Sequence, residues 1–223
     1  MWWEEQRSML PFRDRAEAGR LLGSALVAYA GRDDVLVLAL PRGGIPVAYE
    51  AARTLAAPLD VFVVRKLGAP GNEELAIGAA APGGICILQE QIIAEMGIAA
   101  EAVRDIASLA EQERRESEAL YRRSLPPHSI GGKVAIIVDD GIATGATMRA
   151  AIAAVRAEAA KKVVVAVPVA PASSCHELRA LADEVICLAT PEVFFTVGQW
   201  YVNFEQISDE EVFVLLEQAA TLV

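Results

Sequence analysis

The chain has 223 residues, 54% of them hydrophobic, a formal net charge of −10 and a pI of about 4.8. This length suits one domain with a sizeable core. The acidic balance excludes a general nucleic-acid binder, which needs the opposite field, so any anion site must be assembled locally. Cys86, Cys175 and Cys187 are widely spaced and odd in number, which fits core thiols rather than a disulfide framework or a metal site. No apolar run reaches about 18 residues, the length a membrane span needs. The opening MWWEEQRSML is acidic where a secretory leader is basic and then apolar. A cytoplasmic protein with no membrane partner is expected.

In chain order, Phe12 to Ala30 places Ala18, Leu21, Leu22, Ala25, Leu26 and Tyr29 at helical spacing. Asp14 predicts an N-cap with Glu17 as capping-box partner, and Gly31 a C-cap. Arg13 and Arg15 read as a solvated helix entry; the alternative is that one of them reaches a phosphate or a neighbouring subunit. Val35 to Leu40 is an apolar strand candidate running into Pro41-Arg42-Gly43-Gly44, and Ile45 to Ala57 a helix with Pro46 in its first turn. Asp60 to Val64 is the next strand candidate and ends in two cations, Arg65 and Lys66. Leu67 to Gly84 has Gly and Pro at both ends, a turn signal at Pro70-Gly71-Asn72, and carries Glu73 and Glu74. Ile85 to Leu88 reads as a returning strand. Gln91 to Arg123 is a mostly helical insertion with Glu111–Arg115 and Glu118–Arg122 at i,i+4, solvated or facing a subunit. Pro126-Pro127 ends it, and His128 reads as an ordinary loop histidine.

Ile136 to Ala150, IIVDDGIATGATMRA, joins four parts with no spare residue. An apolar run from Val134 to Val138 suits a buried strand. Asp139 and Asp140 stand where that strand would end. Gly141 to Thr147 is small and hydroxyl-rich, and helix composition follows from Gly145. A strand, a tight loop and a helix start make an anion site, because the first helical N–H groups have no internal partner and carry the positive end of the dipole. Gly141 and Gly145 allow close backbone approach, and Thr144 and Thr147 offer hydroxyls. No Lys follows the glycine, so this is not a Walker loop, and GxGxxG is absent. The two acids would repel a phosphate unless they hold sugar hydroxyls or a metal ion.

Downstream, Lys162 to Val169 is a buried strand candidate stopped by Pro168 and Pro171. Ser173 or Ser174 can cap a helix through Leu181, and Asp183 to Leu188 gives a fifth strand. The strands and helices alternate at the spacing of a parallel α/β sheet. Thr190 to Phe204 is rich in aromatic and β-branched residues, fit either to pack as a satellite core or to stack a flat ligand. Ser208 and Glu211 predict a capping box for a last helix.

VDDGIATGATM resembles the phosphoribosyl-pyrophosphate (PRPP) signature of the type I phosphoribosyltransferases, and the resemblance spans roughly residues 35–200. It implies a Rossmann-like parallel sheet of about five strands with helices on both faces, a small C-terminal hood and a helical insertion. A single domain over 1–223 is expected, with the α/β core at 35–190, a flexible loop and insertion at 67–130, and hood and C-terminal helix at 190–223. The implied PRPP site is Arg42, Gly43, Gly44, Arg65, Lys66, Asp139, Asp140, Gly141, Ala143, Thr144, Gly145, Ala146 and Thr147. In the family the loop at PRGG binds pyrophosphate and often contains a non-proline cis peptide, expected here at Arg42–Gly43. A loop at the place of 67–84 closes over the reacting centre, where Glu73 or Glu74, with Glu74 the candidate, would orient or deprotonate the base. The hood covers the base, with Phe194, Phe195 and Trp200 as candidates.

The implied reaction displaces pyrophosphate from the ribose anomeric carbon by a nitrogen of a base. Arg42, Arg65, Lys66 and Mg²⁺ would stabilise the leaving charge, and Asp139 and Asp140 the sugar or metal-bound water. The expected partners are PRPP and a nucleobase-like molecule, with no nucleic acid, in a homodimer. The alternative is a non-catalytic PRPP-sensing regulator on the same scaffold. A phosphoacceptor domain is disfavoured, because Leu188-Ala189-Thr190 offers no Lys at the last strand's end. Adjacent acids likewise disfavour a DxD phosphatase.

Overall fold

A computed structural model describes residues 11–123 and 127–221. Its core is a five-stranded parallel sheet in the order β2-β1-β6-β7-β8, built from β1 (Val35–Ala39), β2 (Leu59–Val61), β6 (Val134–Val138), β7 (Lys162–Val169) and β8 (Glu184–Ala189). Helices α1 (Arg15–Ala25), α2 (Gly44–Leu55) and α7 (Asp209–Ala219) cover one face, and α5 (Ala146–Ala157) and α6 (Ala172–Arg179) the other. Alternation along each strand feeds two cores. Val35, Val37 and Ala39 of β1 pack with Ile136 of β6 on the α1 side, while Leu36, Leu38 and Ile137 pack with α5. Both faces are therefore dry, which accounts for the continuous apolar runs.

Between β2 and β6 the chain builds a separate antiparallel sheet from β3 (Arg65–Ala69), β4 (Asn72–Ala81) and β5 (Ile85–Leu88), backed by α3 (Glu90–Glu95) and the long α4 (Ala100–Tyr121). Leu67, Ala69, Ile77 and Ala80 meet Ala110 of α4 in a third small core. The Glu111–Arg115 pair forms at 2.6 Å and Glu118–Arg122 at 3.6 Å.

Several boundaries differ from the expectation. The first helix stops at Ala25, because the Leu26 N–H is shared between the Leu22 and Gly23 carbonyls, and a 3₁₀ turn follows at Val27–Tyr29. Asp14 does cap it, but the Glu17 carboxylate accepts from Arg13 N–H rather than Asp14 N–H. Gly31 is no C-cap; it takes φ +68° in the turn beyond and donates its N–H to Leu55 O. Arg65 and Lys66 do not end β2 but begin β3, since β2 pairs with β1 only through Val61. Pro168 lies inside β7, where it is tolerated because β6 has ended opposite Ala166. Pro171, not a serine, caps α6. Ser208 and Glu211 form the expected capping box.

Ile136 sits fully buried in the central strand. Replacing it with Ala should destabilise the chain by about 2–5 kcal/mol, read from the denaturant midpoint at unchanged slope.

Candidate active site

From β1 the chain steps to β2 on one side and, later, to β6 on the other, so a crevice opens between the carboxyl ends of β1 and β6. The Pro41–Gly44 and Asp139–Gly145 loops leave the sheet there in contact. Leu40 N–H donates to Val138 O at 2.9 Å. A side chain on Gly44 would lie 2.8 Å from Val138 O and 2.9 Å from Asp139 Cα. On Gly43 it would lie 2.7 Å from Asp140 Cγ and closer still to Oδ2. Gly43 has helical angles (φ −60°, ψ −34°), so it is glycine for space, not for backbone freedom. The non-proline cis peptide is Pro41–Arg42, one bond upstream of the expected Arg42–Gly43, just before the N-cap Gly43 of α2.

The two acids occupy the crevice. Asp140 N–H donates to Asp139 Oδ1 at 2.8 Å. Arg15, at the start of α1 and only 8% exposed, donates Nε–H to Asp140 Oδ2 at 2.8 Å. Its Nη1 donates to Glu205 O at 2.8 Å, and its guanidinium lies 3.8 Å from the centre of the Phe204 ring. Tyr201 stacks on Phe204 and donates its hydroxyl to Asp140 O at 2.5 Å. Burial pushes both carboxyl pKa values up, Asp139 strongly so, and the Asp140 charge raises Asp139 further; Arg15 opposes the shift at both. Read from sequence alone, Arg15 is a helix-entry cation. Its partner lies 125 positions away, and no local pattern announces the pair.

The next loop spends its carbonyls on the protein and leaves its amides. Ile142 N–H donates to Val169 O at 2.9 Å, so that group is taken. Ala143 O accepts from Ser174 Oγ at 2.9 Å, and Thr144 O from Arg149 Nη1 at 3.0 Å. In a trans peptide the N–H opposes the C=O, so the Thr144 and Gly145 amides turn away from Ser174 and Arg149. Gly145 caps α5 with φ +74°, which requires glycine. Among the described residues, the amides from Ala143 to Thr147 donate to no protein group. Gly141 is buried, and a side chain there would meet Val197 of the hood at 2.5 Å.

Arg42 and Arg65 come together in a cleft of about 220 Å³ lined also by Val64, Ser117, Tyr121 and Asp209. Lys66 instead lines a different groove against Ile106 and Glu113 of α4, since neighbours on a strand diverge. The Glu74 backbone lies in β4; its side chain, like that of Glu73, is outside the described residues. Phe194 and Trp200 stack on each other at 6.1 Å and pack on the main core, while Phe195 is 80% exposed. A cavity of about 530 Å³ lies beside Arg15 between α1, α7 and the 203–208 segment, away from the β1–β6 crevice.

The crevice thus brings together the paired acids and the amide-bearing loop, and comparison with known proteins gives the family. The phosphoribosyl transferase domain family matches residues 15–204, and the chain belongs to that family. Two Mycobacterium tuberculosis proteins, provisionally named phosphoribosyl transferases, are 47% identical over 93% of this chain. The alignment takes in 47% of their length, so the chain spans about half of the curated relatives it matches. The crystal structure of TT1426 from Thermus thermophilus is 42% identical, superposes with a TM-score of 0.81, and is covered to 98% against 93% of this chain.

Gly43→Ala should displace Asp140 and cut any phosphoribosyl turnover about 100-fold, the scale of losing one preorganised polar group, with a native far-UV spectrum. Because Asp139 has a raised pKa, its ionised form is the destabilised one: stability is full at acid pH and falls as pH rises through the folded pKa. Asp139→Asn should therefore raise Tm near neutral pH and flatten that fall; a lower Tm would contradict the burial argument.

Proposed function

We propose that the chain transfers a 5-phosphoribosyl group from PRPP to a nitrogen of a base-like acceptor, releasing pyrophosphate. The observation that carries this reading is the meeting, at one switch point, of unspent amides at 143–147, an acid pair and the Arg42–Arg65 cleft. The amides and the Thr144 and Thr147 hydroxyls would grip the 5-phosphate. Asp139 and Asp140 would accept from the ribose 2- and 3-hydroxyls and offset positive charge building at the anomeric carbon. Arg42 and Arg65 would stabilise charge gathering on the departing diphosphate. Closure of the β3–β5 sheet would exclude water, the competing nucleophile.

The acids also suit Mg²⁺. Asp140 Oδ2 is engaged by Arg15 and Asp139 Oδ1 by a backbone amide, and the described residues hold no cluster of three or more ligating side chains. That donor set fits an ion taking most of its ligands from substrate oxygens and water. When bound, Mg²⁺ would neutralise diphosphate charge. In this reading Phe194, Phe195 and Trp200 flank the acceptor and Glu74 acts on it. The protein would work in the cytoplasm, where its three free thiols stay reduced, and as a homodimer, as the family resemblance implies. No helix among the described residues is long and apolar enough to cross a membrane.

Pyrophosphate release from PRPP and Mg²⁺ across a panel of purine, pyrimidine and smaller nitrogenous bases tests the reading. Release with at least one base is expected. PRPP binding with no turnover on any base would favour the sensing regulator, and no PRPP binding would overturn both.

A further inference from the structure

Two elements outside the PRPP loops reach the arginine cleft. The first is the end of the insertion helix α4. Ser117 Oγ accepts from Arg65 Nη2 at 2.8 Å, and Tyr121, 6% exposed, lines the same space. The second is the start of α7, where Asp209 Oδ1 lies 3.6 Å from Arg42 Nη1, both side chains about half exposed. Tyr121 and Asp209 line the same cleft, and the Tyr121 ring packs 6.5 Å from Phe213 one turn on, so α4 and α7 meet beside Arg42. Two guanidinium groups, two hydroxyls and one carboxylate therefore line a small polar cleft.

We propose that Asp209 is an internal counter-ion standing in for a diphosphate at Arg42, and that Ser117 and Tyr121 line the seat the diphosphate takes when Asp209 yields. This rests on the PRPP reading and deepens it. An exposed ion pair is weak, so a doubly charged phosphate can displace the carboxylate, whereas a neutral ligand cannot. Once Asp209 is displaced, the Tyr121 hydroxyl, which its burial and the Asp209 charge keep protonated, is free to donate to a phosphate oxygen. Asp209 opens the last helix, so displacing it also couples site occupancy to the 201–209 segment that holds Arg15 and Asp140.

The test is calorimetric titration of inorganic pyrophosphate with Mg²⁺ into the full chain. Asp209→Asn should bind about fivefold more tightly than the unsubstituted chain, the scale of one exposed ion pair removed from competition. Tyr121→Phe should bind about 3- to 10-fold more weakly, the scale of one lost hydrogen bond. A merely structural Asp209 would give unchanged or weaker binding in Asp209→Asn, and that result overturns the proposal; so does equal affinity in Tyr121→Phe. Far-UV spectra and melting of each variant confirm the fold. A nucleoside 5′-monophosphate titrated into the same preparations separates the outcomes. If it binds while Asp209→Asn shows no gain, the PRPP reading stands and the counter-ion fails; if it does not bind, the PRPP reading itself fails.

Discussion

Asp139 and Asp140 stand side by side at the end of a buried strand, where burial disfavours both charges and the Asp140 charge disfavours that of Asp139 further. One cation, Arg15, makes that pair tenable. Its Nε holds Asp140 at 2.8 Å, and its own burial is made possible by the Phe204 ring and the Glu205 carbonyl. The first helix and the C-terminal segment are thus fastened to the second acid from opposite ends of the chain. Removing Arg15 would leave a recessed carboxylate without its counter-charge, which is more damaging than never having the pair.

Around this pair the division of labour is spatial. The sheet body is apolar on both faces and supplies rigidity; the paired acids and the amide-bearing loop gather where β1 and β6 end. Close approach of the two loops depends on Gly43 and Gly44, whose missing side chains make room for Asp140 and Asp139. The loop after Gly141 follows a complementary logic. Ser174 and Arg149 hold its carbonyls, so its amides are left for something that is not protein. Ser174, expected as a helix cap, is a brace for that loop instead.

Much of the fold was legible because its signals are local. Five apolar runs, three of them followed by turn residues and a helix pattern, suffice for a parallel sheet, and VDDGIATGATM announces its own loop. Boundaries went astray where tertiary contacts overrode local pattern. Arg65 and Lys66 follow an apolar run and so read as its end, yet they start a different sheet, and alternation along β3 sends their side chains to separate grooves. Pro168 reads as a stop only if β7's neighbour is assumed to continue. Arg15 and Asp209 carry no motif at all. Each matters through one long-range partner, Asp140 or Arg42, and a pairing across more than a hundred residues leaves no trace in spacing.

The central claim is that the amides from Ala143 to Thr147 are kept vacant for a sugar phosphate while the adjacent acids take its hydroxyls. The most direct measurement is amide chemical-shift mapping of ¹⁵N-labelled protein titrated with ribose 5-phosphate. The expected result is saturable movement concentrated at 143–147 and at Asp139 and Asp140, with little at Ile142, whose N–H is already bonded to Val169. Saturable movement centred elsewhere, or none at 143–147 at saturating ligand, would contradict it.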